Sequence, residues 1–185
     1  ENINLLSGPG CPVCVSPNSY IDKAIEFSKI ENTIITTFGD MMRVPGSYSS
    51  LEKEKSKGRE IKVVYSPFDA LEIAEKSPDK NIIFLGIGFE TTSPIVSSTI
   101  KIAKKKKIKN FSVFSGHKLI PPAMETLLKD GEVKIDGFIC PGHVSTIIGK
   151  KPYNFIAENY NIPCVIAGFE PLDIVESIYI LIEKI

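Results

Sequence analysis

Short runs rich in β-branched and aromatic residues alternate along the chain with segments whose apolar positions recur every three or four residues. The β-type runs fall at 33–38, 61–65, 82–87, 111–114, 137–140 and 164–167, with a further one at 3–6. Between them, Ile21 and Ile25 share one helical face, as do Ala70, Leu71 and Ala74, and likewise Ile95, Thr99 and Ala103. Strands that alternate with helices in this way predict βαβ units and parallel sheets flanked by helices.

One device recurs where the helical patterns begin: a capping residue followed by proline. It stands at Ser16-Pro17, Ser66-Pro67, Ser93-Pro94 and Glu170-Pro171, with Pro121-Pro122 as a variant. Proline suits the first helical position, where its missing N–H has no intrahelical partner, and serine accepts a bond from an exposed N–H of that turn. These pairs therefore mark strand-to-helix loops, which leave a parallel sheet at its carboxyl edge, where open α/β folds bind ligands. A composition shift near 86–91 divides the chain into two similar small Rossmann-like α/β domains. The first, 1–88, is incomplete at its N-terminus, and the second covers 89–185. The chain starts at Glu1 without a methionine and ends in an apolar helix, 172–185, without a cap. The expectation is a piece of something longer, with that last helix buried in part against segments outside the sequence.

Charge narrows the functions. Twenty-two Lys and Arg balance twenty-two Asp and Glu, so no global field draws nucleic acid or an anionic membrane. No apolar run reaches the roughly 18–20 residues that span a bilayer, and no signal-peptide core opens the chain. The four cysteines are too few for a disulfide scaffold, and two stand as Cys11-x-x-Cys14, a spacing used for redox or metal chemistry in reducing compartments. A cytoplasmic location is expected.

The unusual residues concentrate in the loops. Cys11 and Cys14 lie just before the expected helix start at Ser16-Pro17, where exposed N–H groups and the helix dipole favour thiolate. The loop after the second run carries Gly39, Asp40 and Arg43, and Arg43 either holds an anion or pairs with Asp40 to stiffen the loop. The sequence from Gly86 to Thr91 is like a dinucleotide fingerprint without its third glycine, so a tight turn with Thr92 or Ser93 capping the next helix is the better reading. That leaves Glu90 to be explained. Both histidines, His117 and His143, lie in strand-end loops. Cys140 and His143 form a C-x-x-H pair that, with Cys11 and Cys14, has the composition of a Cys₃His zinc site. Cys164 lies within an apolar run and reads as core. Lys104 to Lys107 end a helix and read as a solvated face.

Taken together, GPGCPVC (8–14), TFGDMMRVPGS (37–47), GFETTSP (88–94), SGHKLIPPAM (115–124) and PGHVSTIIG (141–149) resemble the HypD family of hydrogenase formation and maturation proteins. The resemblance covers nearly the whole chain. It implies an α/β scaffold on which the Fe(CN)₂CO unit of [NiFe]-hydrogenase is assembled, with a HypC-type chaperone and a HypE-type cyanide donor as partners, and no nucleic acid or membrane. By the same resemblance Cys11 and Cys14 are the thiol redox pair. The family's C-G-x-H motif, which holds the iron, and its C-terminal [4Fe–4S] domain have no counterpart in this sequence.

The resemblance also implies roles for the loop residues. His143 and His117 are candidate iron ligands, or groups that hydrogen-bond around the iron. Gly39, Arg43, Thr91, Thr92 and Lys118 are candidates to surround the cyanide nitrogens, and Asp40 and Glu90 to orient groups or move protons. Two other readings remain open: a stand-alone thiol–disulfide oxidoreductase and a zinc-stapled binding module.

Overall fold

Five consecutive buried residues, Thr33–Thr37 (β1), mark the middle of a parallel sheet. In the computed structural model, which describes residues 3–8, 10–132 and 134–185, β1 lies between Ile61–Val63 (β2) and Asn81–Gly86 (β3). Phe111–Ser115 (β4) continues beyond β3, giving the order β2-β1-β3-β4, all parallel. Alternate side chains point to opposite faces. Ile35 and Leu85 accordingly join Ile21, Ile25 and Leu51, from helices Asn18–Ser28 (α1) and Leu51–Ser56 (α2). Phe84, one position from Leu85, packs instead with Ala70 and Val96 of Pro67–Lys76 (α3) and Ser93–Lys105 (α4). Helices on both faces explain why β1 reads as a continuous buried run.

A second sheet has two parallel strands, Phe138–Pro141 (β5) and Cys164–Ala167 (β6), with Cys140 opposite Ile166. Its helices are Ile120–Asp130 (α5), Gly142–Ile148 (α6), Asn154–Tyr160 (α7) and Pro171–Ile182 (α8). Buried Cys140, Tyr153 and Ile156 form the centre of its core, with Ile120, Met124 and Phe138 packed against them. Ser177 and Leu181 of α8 are buried, while Leu172, Val175 and Tyr179 are exposed.

The contacts divide the chain into two compact units, Glu1–Gly88 with Thr92–Lys118, and Phe89–Thr91 with Leu119–Ile185. A division at Gly88 separates β3 from β4, yet the two are paired through five residues, Ile82 with Phe111 to Gly86 with Ser115. Hence α4 and β4 belong to the first unit. Among the described residues no helix is long and apolar enough to cross a membrane.

Two local expectations need correcting. Residues 3–6 form no strand, and Ile3, Leu5 and Leu6 are exposed. An extended run without a neighbour to bond its backbone is not stable. At the helix starts, Ser66 behaves as expected, accepting from Phe68 N–H at 3.2 Å while Asp69 accepts from Ser66 N–H at 3.0 Å. Ser16 does not cap α1. Its hydroxyl donates back to the Pro12 carbonyl at 2.9 Å, and Pro17 takes the cap position without a side-chain bond.

Candidate redox site

The dithiol loop is a tight turn stitched by its own backbone. Val15 N–H donates to the Cys11 carbonyl at 3.3 Å, and Ser16 N–H to the Val13 carbonyl at 3.1 Å. Between the two cysteines, Val13 packs against the core beneath α1, which anchors the loop while both sulfurs stay near the surface. Cys11 is half-buried and Cys14 exposed; both are free thiols. Cys14 N–H points at Cys11 Sγ at 3.4 Å. The Cys14 thiol, and next its backbone N–H, hold Cys11 below the ordinary thiol range. The same sulfur–sulfur hydrogen bond pushes Cys14 up. The two thiols are thus made unequal, one lowered and one raised, and a lowered thiol is the better nucleophile of such a pair. The turn supplies these bonds, since Ser16 donates its hydroxyl away from α1.

Asp40 lies near enough to oppose the Cys11 thiolate, the weakest of the influences on it. It is exposed on the 3₁₀ turn Gly39–Arg43, whose Met41 and Met42 are buried and fix the loop. Arg43 pairs with Glu52 at 3.5 Å, both well exposed, a weak surface contact with a partner other than Asp40. Gly39 is exposed beside Val63.

At the ends of β3 and β4 a second group of expected residues meets. A side chain at Gly86 would run into the His117 ring. His117 Nδ1 lies 3.2 Å from Ser115 Oγ, and its Nε2 is buried without a hydrogen-bond partner. Burial pushes this imidazole down, favouring the neutral form that can act as a ligand. Lys118 is exposed, and its backbone N–H donates to the Gly88 carbonyl at 2.9 Å. Gly88 admits no side chain, because a Cβ there would overlap the Thr92 hydroxyl. Thr92 takes the cap position of α4, so this segment is a tight turn into a helix.

In the second unit Glu90 is buried. Its Oε1 accepts from Ile120 N–H at 2.7 Å, at the start of α5. Its Oε2 is buried without a partner. Thr91 beside it is exposed. His143 is exposed on the first turn of α6, its ring 5.0 Å from that of Phe169 and tilted by 36°. Sequence reasoning missed Phe169, which is 75% exposed. Its only signal was an aromatic residue in the loop after β6.

Cys140, counted in the zinc reading, is fully buried with its thiol hydrogen-bonded to that of Cys164, a core placement for both. Among the described residues no group of three or more His, Cys, Asp or Glu could hold a metal ion.

The sequence model of HypD, described as the hydrogenase formation hypA family, matches residues 1–185. The chain belongs to the HypD family. It is 48% identical to hydrogenase maturation factor HypD2 of Bradyrhizobium diazoefficiens, over 100% of the chain and 50% of that protein. It is 44% identical to hydrogenase maturation factor HypD of Escherichia coli, over 100% of the chain and 49% of that protein. A putative hydrogenase expression/formation protein of Methanocaldococcus jannaschii is 46% identical, over 100% of the chain and 51% of its own length. The chain thus spans about half the length of the curated HypD relatives it matches.

Proposed function

We propose that the chain works in hydrogenase maturation as a redox-active assembly scaffold. The observation that carries this reading is the asymmetric dithiol, with Cys11 held down by Cys14 and Cys14 held up, on a loop anchored by Val13. When the two thiols close to a disulfide they form one S–S bond and release two protons and two electrons. Those electrons go to the cargo, an iron unit that acquires its cyanide and carbonyl ligands on the scaffold. A HypC-type chaperone and a HypE-type cyanide donor are the partners, and the cytoplasm is the compartment, since free thiols persist there.

The other loops suit a cargo of this kind. His117, neutral and with Nε2 unpartnered, is an imidazole ready to ligate or to hydrogen-bond. His143 is presented to solvent. Lys118, Arg43 and the amides around Gly39, Thr91 and Thr92 are donors of the type that cyanide nitrogens accept, and Asp40 and Glu90 are carboxylates able to orient them or pass protons.

The test uses a full-length relative copurified with its HypC-type chaperone, comparing wild type with variants at the positions equivalent to Cys11→Ala and Cys14→Ala. Infrared bands from iron-bound cyanide and carbonyl should be lost or strongly reduced in both variants. Bands of unchanged intensity in both would rule out an essential redox role.

A further inference from the structure

His143 stands on a short helix, and α6 has only seven residues with which to hold it. So short a helix has little stability of its own and must be fixed by its surroundings. Three contacts in the second unit do this. Gly142 brings the start of α6 against the end of β6, where an added Cβ would lie 2.5 Å from the Ala167 carbonyl oxygen. Ser145 Oγ donates to the Pro141 carbonyl at 2.8 Å, closing the turn that contains His143. The Ser145 and Tyr153 hydroxyls are themselves hydrogen-bonded at 3.3 Å.

Tyr153 is an unusual residue to find at the end of this chain of bonds. It is 4% exposed and belongs to the central cluster of the core. A buried phenol needs a partner for its hydroxyl, and the hydroxyl the fold supplies is that of Ser145, also buried. The link therefore runs from the buried core cluster, through Ser145, to the carbonyl that precedes the Gly142-His143 step. Phe169 lies beside the His143 ring, with the centroids 5.0 Å apart. Removing the phenol oxygen leaves the aromatic packing in place but leaves the Ser145 hydroxyl held by the Pro141 carbonyl alone, without its tie to the core.

We infer that Tyr153, acting through Ser145, is a positioning residue for His143. It sets the orientation in which the imidazole is presented beside Phe169. This deepens the proposed function, since it rests on the reading of His143 as a group that meets the cargo, and it concerns residues to which neither the motifs nor the comparisons assign a role.

The chain has only two histidines, which makes the test direct. In the ¹³C-labelled 185-residue chain the two imidazole Cε1–H signals are assigned with His117→Gln, at one fixed pH. Tyr153→Phe and Ser145→Ala should each shift the His143 signal and lose its ring-to-ring nuclear Overhauser contact with Phe169, while the His117 signal stays in place. An unchanged His143 signal with an intact Phe169 contact in both variants would overturn the inference. So would movement of both histidine signals together, which would mean a general loss of structure. Because no iron is involved, this readout can succeed or fail independently of the maturation role.

Discussion

Two pairs of thiols in the same chain have been given opposite properties by their surroundings. Cys11 and Cys14 stand in a turn three residues apart, near the surface, with one sulfur accepting a backbone N–H. Cys140 and Cys164 come from adjacent strands of a parallel sheet and meet inside an apolar core. In both pairs a sulfur–sulfur hydrogen bond lowers one thiol and raises the other. What differs is access and backbone support. The hydrogen bond with Cys164, and next burial, push Cys140 far above the ordinary thiol range, and among the described residues no backbone N–H offsets that. A thiol pair becomes reactive when a turn offers donors to it and leaves it reachable, and proximity of the sulfurs alone is not enough.

Alkylation separates the two pairs most directly. Cys11 and Cys14 should react with iodoacetamide at least about a hundredfold faster than Cys140, which reacts only through local openings costing on the order of 3 kcal/mol. Peptide mass spectrometry over a time course reads this, and equal rates would erase the distinction. Stability should divide in the opposite sense. Cys140→Ser buries a hydroxyl in an apolar cluster and should cost about 1–3 kcal/mol in urea unfolding. Cys14→Ser, exposed, should stay within about 0.5 kcal/mol of wild type.

The neutral imidazole of His117 predicts a smaller effect. Its folded pKa lies below the unfolded value of about 6.5, so between the two the unfolded chain binds more protons. Stability should therefore rise with pH through that interval, level off above it, and lose this slope in His117→Gln. Smallest of all, Asp40→Asn removes the one charge that opposes the Cys11 thiolate, and should slightly raise the alkylation rate of Cys11 at neutral pH.

The strand and helix pattern was legible because each run carried its own period. Six of the seven β-type runs are strands, and the helices between them bury the expected faces except at one position of α4, where Val96 and not the exposed Ile95 is buried with Thr99 and Ala103. The run at 3–6 had the composition of a strand but no neighbour to pair with, and composition does not report neighbours. Local chemistry was read with mixed success for a related reason. Ser66 and Asp69 form a capping box visible in four residues, whereas Ser16 was drawn to the carbonyl of Pro12 by a turn whose shape the sequence does not announce. Contacts made across the fold stayed hidden: the meeting of Cys140 with Cys164, the bond from Ile120 to Glu90, and the tie between Ser145 and Tyr153. Each depends on strand register or helix placement rather than on spacing along the chain.

The central claim, that Cys11 and Cys14 form a reversible redox pair, is tested most directly by a redox titration of the 185-residue chain. The chain is equilibrated in buffers of graded reduced and oxidised glutathione, the free thiols are then trapped, and the peptide carrying both cysteines is weighed. The account predicts a single two-electron transition to an intramolecular Cys11–Cys14 disulfide, with Cys140 and Cys164 still reduced throughout. If both loop cysteines remain alkylatable at every ratio, or if Cys140 and Cys164 oxidise first, the account is wrong.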